Sequence, residues 1–373
     1  MNSYSSFIKF DKISHKKKTL IIIILKFIIL YILLFHIISY YIIHKYLEDL
    51  KLFIKQYFQG LKYNYNSITL KYDKEIEQYI YKQNDFCNNP SKYLKKEIED
   101  QIILTNVSIM GLNYQMYIYK KHHFMTSMII SGSYEKKETI NMLNALQYYS
   151  RIKNIFNNKE IFIIDIGGHT GWYPSFFGRW GYSILSFEPL ETNYYILRKN
   201  YCLINRYSNI IIINKGINNK EMICDYYKNG NNMGNGMILC DKKNISSLNN
   251  KHFKKLTQVN LVKLNRYINY LSNKNIALIK LDIEGNEWKA IESGIELITV
   301  YKVPFIFIEF TPIFLIEHET NPIEFLNFFI NNGYNISKDG FLSNNYINIR
   351  EIMKKVRKQV NLYFIHSSIN YNK

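Results

Sequence analysis

Two carboxylates and three glycines stand at spacings that suit a nucleotide-type ligand. Asp165 is followed by Gly167, Gly168 and Gly171 in the stretch Ile161-Phe-Ile-Ile-Asp-Ile-Gly-Gly-His-Thr-Gly171. Glu188 lies 23 residues beyond Asp165 (188 minus 165) and closes a second β-rich run, Tyr182 to Phe187. Glycine at 167 and 168 removes Cβ atoms where a cofactor must approach the backbone and permits φ > 0. Gly171 lets the following helix pack closely. Glu188 has the lone pairs to accept both hydroxyls of a ribose. A dinucleotide turn, G-x-G-x-x-G, instead presents helix N-terminal amides to a pyrophosphate. An acid before the glycines would repel that group. It suits a ligand bearing an ammonium, as the methionine end of S-adenosylmethionine does. The turn therefore favours a methyl donor over NAD. An NAD-dependent oxidoreductase and a catalytically inert anchored scaffold are the rival readings.

A third stretch supplies the reacting side. Ile276 to Leu281 reads as a buried strand that ends in Asp282-Ile-Glu-Gly-Asn-Glu287. Asp282 and Glu284 flank that strand end, beside the place a transferable group would occupy. Either is a candidate general base, a contact for the methionine amine, or a holder of a divalent cation. Asp282 also suits the cap of the following helix. Glu287 and Glu309 are lesser candidates. No motif places His122, His123 or His318, which read as surface histidines.

These stretches, with Ser186-Phe-Glu-Pro189, Ile212-Ile-Asn-Lys-Gly216 and Phe307-Ile-Glu-Phe310, resemble the FkbM-type S-adenosylmethionine-dependent methyltransferases. The resemblance runs from about Ile161 to Pro312. Its most specific part is Ile-Lys-Leu-Asp-Ile-Glu-Gly285; Gly168-His169 departs mildly from the usual turn. It implies a class I methyltransferase fold and O-methylation, commonly of a sugar hydroxyl. It also implies that Asp165, Gly167, Gly168, Gly171, Glu188 and Gly216 bind the cofactor, with Asp282, Glu284 and Gly285 in the Asp-Val-Glu-Gly segment. No metal ligand set is assigned.

The elements that must position these residues alternate. Strands are expected at 161–164, 182–187, 210–213, 276–281, 304–310 and 361–365. Helices are expected at 172–180, 192–205, 266–271, 287–298 and 321–331. This is an α/β chain with a doubly wound, Rossmann-like and mostly parallel sheet. Residues 221–227 and 237–239 read as an inserted hairpin around a Gly230–Gly236 loop, and 260–264 as a short strand. Ahead of the core, 102–104, 116–119 and 128–130 look β-like. Residues 135–155 look helical, with Ile140, Leu143, Leu146 and Tyr149 as the apolar stripe.

Leu20 to Ile43 is almost wholly apolar, long enough at ~1.5 Å per residue to span a ~30 Å hydrocarbon core. Lysines at 9, 12, 16, 17 and 18 outnumber those just beyond it, which sets a type II orientation. The expected organisation is a cytosolic tail (1–19), a membrane anchor (20–43), a stem (44–90), a preamble packing on the core (91–156) and a methyltransferase domain (157–373). The catalytic part is then lumenal, in the Golgi or endoplasmic reticulum, and the acceptor a glycan or other small hydroxyl compound. Sequons at Asn106, Asn244 and Asn335 fit that side. The formal charge of +18 comes mainly from Lys in an Ile-, Asn- and Tyr-rich chain. With no basic-aromatic motif or finger spacing, it gives no specific nucleic-acid partner. No C-x-x-C pair exists. Cys202 reads as a buried apolar residue, and Cys224 could bridge to Cys240.

Overall fold

The structure, a computed structural model, describes residues 74–120, 123–204, 209–229, 232–240, 253–355 and 358–369. The chain divides into the units Met1–Leu70 and Lys71–Lys373, and only the second is described below. The expected tail and anchor, most of the stem and Asn244 lie outside the described residues. Among the described residues, no helix is long and apolar enough to cross a membrane.

Thirteen strands appear among the described residues. They are β1 (Ile102–Ile109), β2 (Leu112–Tyr119), β3 (Ile161–Ile166), β4 (Ser183–Phe187), β5 (Ile210–Ile213), β6 (Gly216–Ile217) and β7 (Met222–Asn229). Then follow β8 (Asn232–Leu239), β9 (Phe253–Val262), β10 (Asn275–Leu281), β11 (Phe305–Phe310), β12 (Tyr334–Ser337) and β13 (Val360–His366). Seven form the central sheet in the order β12-β13-β11-β10-β3-β4-β5. β3, β4, β5, β10 and β11 are parallel, while β13 runs antiparallel to both β11 and β12. The expected mostly parallel sheet is thus found, with antiparallel pairing at this edge.

The central strands are buried on both faces, which is why they read as unbroken apolar runs. Side chains alternate across the sheet. Ile161 and Ile163 join one apolar cluster with Leu143, Phe176 and Leu197. Phe162, Ile164 and Ile166 join another with Ala290, Ile298 and Phe325. Helices Lys136–Ile152, Trp172–Arg179 and Glu191–Cys202 therefore cover one face, and Glu287–Ser293 and Pro322–Asn331 the other. The last of these is capped by Asn321, whose side chain accepts from the amides of Ile323 and Glu324.

Several elements differ from expectation. Residues 128–130 belong to a helix, His123–Ile130, because Met125 and Ile129 bury together at helical spacing. The expected helix 287–298 breaks at Gly294, where a Cβ would lie 2.8 Å from Leu264. The inserted hairpin is larger: β7 pairs with both β8 and the ten-residue β9 in a sheet ordered β6-β9-β7-β8. A Cys224–Cys240 disulfide ties it.

The end of the expected stem is part of the folded unit. Residues 74–88 are helical and dock on the β5 edge of the sheet. Gln83 is 2% exposed and imitates a neighbouring strand. Its Nε2 donates to Ile210 O at 3.1 Å, and its Oε1 accepts from Ile212 N at 3.2 Å. Glu75 pairs with Arg266 at 2.6 Å and Lys215 at 2.8 Å. A Cys87–Cys202 disulfide fastens the same helix, so Cys202 is an exposed cross-link rather than a buried apolar residue.

Candidate active site

The chain proceeds from β3 to one side of the sheet through β4 and β5, and to the other through β10 and β11. A cavity of about 390 Å³ opens at the carboxyl ends of these strands, where the order reverses. That is the position at which open α/β sheets bind ligands, and the volume suits a nucleoside-sized molecule. Gly167, Gly168, Glu188, Asp282 and Glu284 line it, so three separated stretches of sequence meet there.

The glycines have reasons within the chain itself. Gly167 has φ +91° and a Cβ there would lie 2.1 Å from Asp282 O, so the turn after β3 presses on the turn after β10. At Gly168 a Cβ would meet Ser186 Oγ at 2.3 Å. Gly171 has φ +90° at the start of its helix and packs on Leu197. Of the four glycines expected to bind the cofactor, Gly167 and Gly168 line the cavity; Gly216 packs between Leu261 and Pro189 instead.

Glu188 is 4% exposed and already serves the protein. Its Oε2 accepts from His169 N at 2.8 Å, and its Oε1 from Leu190 N at 2.9 Å and Asn193 Nδ2 at 3.3 Å. Of about four lone-pair positions on a carboxylate, one on Oε2 is left for a ligand hydroxyl. The two-hydroxyl contact expected from sequence is thereby cut to one. Burial pushes its pKa up to about 7 against the pull of these bonds.

Asp165 is 1% exposed and does not line the cavity. The parallel register places it opposite Lys280. Ser186 Oγ donates to its Oδ2 at 2.7 Å, and Lys280 Nζ stands 3.5 Å from Oδ1. Lys280 also donates to Gly167 O at 2.6 Å and lies 3.6 Å from Asp282 Oδ2. The ammonium beside Asp165 is therefore the chain's own, which corrects the expectation of a ligand ammonium there. Burial alone would lower the Lys280 pKa, but Asp282 and Asp165 hold it up at about 12.

Asp282 caps no helix. The helix Glu287–Ser293 has no side-chain cap at Asn286. Glu287 organises the turn instead, accepting from Ile283 N at 3.3 Å and Gly285 N at 3.2 Å. The Asp282 carboxylate keeps 31% of its surface and faces the cavity. Glu284 sits in the left-handed region at φ +53°. Burial, then Asp282, raises its pKa to about 8. Burial with the nearby charges of Asp282, Glu135 and Glu284 drives Glu309 far upward. Among the described residues, no three acid, His or Cys side chains are arranged to hold a metal ion.

Three residues of the site are given no role by the motifs. Lys280 is one, although a lysine inside an apolar strand is a visible signal. Tyr173 is another: its hydroxyl donates to Glu135 Oε2. Glu135 is the third, in the residue before the helix Lys136–Ile152, where an acid looks like an ordinary helix start. Burial, then Asp282, raises its pKa to about 7. His318 is 3% exposed behind Gly285, not a surface histidine, and burial lowers its pKa to about 4. His123 opens a helix, and His122 lies outside the described residues.

No curated protein matches the chain. Residues 165–336 match the family model described as the methyltransferase FkbM domain. The stretch between the buried acid of β3 and strand β12 is thus similar to an FkbM methyltransferase domain, which supports a methyltransferase.

Proposed function

We propose that the protein is a membrane-anchored, S-adenosylmethionine-dependent O-methyltransferase that acts on a sugar hydroxyl of a glycan or glycoconjugate. The observation that carries this reading is the meeting of Gly167, Gly168, Glu188 and the Asp282 segment on one cavity at the switch point of the sheet. The residues fit the donor. Backbone without Cβ atoms faces the cavity at 167 and 168, and Glu188 Oε2 retains a lone pair for a ribose hydroxyl. When bound, the cofactor supplies an electrophilic methyl group. The chain's part is to orient an acceptor hydroxyl and take its proton. Asp282 suits the second task, because its carboxylate is open to the cavity, with Lys280 3.6 Å away. Glu284, held protonated near neutrality by burial, can donate to an acceptor oxygen.

Two disulfides and the exposed sequon residues Asn106 and Asn335 favour an oxidising, lumenal setting. The apolar run 20–43 supports a type II anchor in the Golgi or endoplasmic reticulum. Calorimetry of S-adenosylhomocysteine with the detergent-solubilised full chain tests the donor. Saturable binding that Glu188→Ala weakens is expected; no binding by folded protein refutes the reading. Methyl transfer from labelled donor across glycan, lipid and protein acceptors tests the substrate class. Protease protection of a C-terminal tag in intact microsomes tests the orientation.

A further inference from the structure

The donor of the proposed reaction carries an ammonium group at its amino-acid end, and that group needs a carboxylate. Asp165, the residue expected to supply one, is shut away behind Gly167 and Gly168, and Lys280 already faces its Oδ1. Glu188 takes three protein N–H groups, and Glu287 takes two. Glu135 differs from all of these. It lines the cavity from the segment before the matched domain. Its backbone is in the left-handed region at φ +46°, a conformation that a non-glycine residue keeps only where its surroundings impose it. Tyr173, the second residue of the helix behind the glycine turn, holds Oε2 and fixes the carboxylate's direction. Oε1 has no hydrogen-bond partner among the described residues.

We propose that Glu135, contributed from outside the methyltransferase domain, is the counter-charge for the ammonium group at the amino-acid end of the donor, with Tyr173 as its positioning residue. This rests on the donor reading above. The electrostatic surroundings agree with it. Asp282 and Glu138 act on Glu135, and Asp282 and Glu284 on the neighbouring Glu309, while among the described residues Lys280 supplies the opposing ammonium and the Tyr173 hydroxyl steadies the Glu135 carboxylate. A buried group of carboxylates with one lysine is short of positive charge, and a cationic ligand end relieves it. Burial and Asp282 push Glu135 upward for the same reason.

The test separates the ammonium from the nucleoside. S-adenosylhomocysteine carries the amino-acid end, and 5′-methylthioadenosine lacks it. Calorimetry on the full chain with both compounds, for wild type, Glu135→Gln and Tyr173→Phe, reads the ammonium contact as a ratio of affinities. Glu135→Gln should weaken S-adenosylhomocysteine by about ten- to a hundredfold, the worth of a charge-assisted contact, and leave methylthioadenosine within about twofold. Tyr173→Phe keeps the charge and removes its tether, so it should weaken S-adenosylhomocysteine selectively but by less. Thermal melts show whether either variant is folded. Equal weakening of both compounds, or no change in either, in a folded Glu135→Gln protein overturns the assignment. So does a selective loss in Tyr173→Phe with none in Glu135→Gln. Wild-type protein that binds neither compound refutes the donor reading itself, and this assignment with it. Wild-type binding of methylthioadenosine with no gain for S-adenosylhomocysteine refutes the assignment alone.

Discussion

Replacing Lys280 by Met removes the ammonium that, among the described residues, faces Asp165, and its cost should depend on pH in a calculable way. At an effective dielectric of about 20, charges 3.5 Å apart interact by about 5 kcal/mol. Asp165 Oδ1 has no other partner among the described residues, and the side chain is too buried for water to replace the lysine. The escape is protonation of Asp165. At pH 7 that costs at most about 4 kcal/mol, from three units above an ordinary Asp pKa at 1.36 kcal/mol each; at pH 5 it costs about 1.5 kcal/mol. Loss of the bond to Gly167 O adds about 1–3 kcal/mol at either pH. The sign follows from linkage. In the variant, Asp165 has a folded pKa raised above its unfolded one, so stability is retained at low pH and lost as pH rises. Equilibrium urea unfolding at pH 7 and pH 5, with both disulfides intact, measures the difference. The variant should be destabilised by about 5 kcal/mol at pH 7 and by clearly less at pH 5. Adding Asp165→Asn should abolish the pH-dependent part. An equal penalty at both pH values, or no rescue by Asp165→Asn, would show that Asp165 carries no charge for Lys280 to neutralise.

Other outcomes follow from the same structure. Replacing both cysteines of Cys87–Cys202, which closes a loop of 115 residues, should cost about 5 kcal/mol on the chain-entropy account; removing Cys224–Cys240, which closes 16, should cost about 3 kcal/mol. Reversal of that order in denaturant titrations would rule out loop closure as the dominant effect. Gln83→Ala leaves two backbone groups of β5 without partners and should cost about 2–4 kcal/mol, with faster hydrogen exchange at Ile212; unchanged exchange there would mean water replaces the side chain. Glu135, Glu188 and Glu287 have pKa values raised to about 7, and Glu284 to about 8. Their contribution is complete below the unfolded glutamate pKa and fades as pH rises through these values. The melting temperature should therefore fall by several degrees between pH 6.5 and 8.5, a range in which His318 is neutral when folded. A rising melting temperature would contradict the burial of these acids.

Much of the central sheet is legible because two-sided burial writes continuous apolar runs. Ile161–Ile164, Ile210–Ile213 and Ile276–Leu281 all fall on strands. The antiparallel direction of β13 is not legible, since strand direction is set by where the chain re-enters the sheet and leaves no local trace. β12 is short, with Asn335 exposed between buried neighbours, and gives too little pattern to find. At the site, Asp282 and Glu188 stand out because each closes an apolar run beside a turn. The role of Asp165 is misread for a definite reason: its partner, Lys280, lies 115 residues away (280 minus 165) and meets it only through the β3–β10 register. Glu135 could not be found at all, because its meaning comes from a tyrosine brought to it by packing. Cys202 misleads for a similar reason, as its partner Cys87 lies on a helix read as stem.

Strand β13 is made after β11 and β12 yet lies between them. During synthesis the nascent domain must hold β11 with a bare edge and β12 with none of its eventual neighbours, until residues 360–366 emerge and thread into the gap. Bare edges recruit strands from other chains, and translation at about 5–20 residues per second leaves this gap open for seconds. Completion of the sheet is therefore timed by the ribosome, and a holding chaperone acting on the β11 edge would be of most use in that interval. Shortening the connection from β12 to β13 ahead of Gln359, which lines the cavity, would narrow the interval.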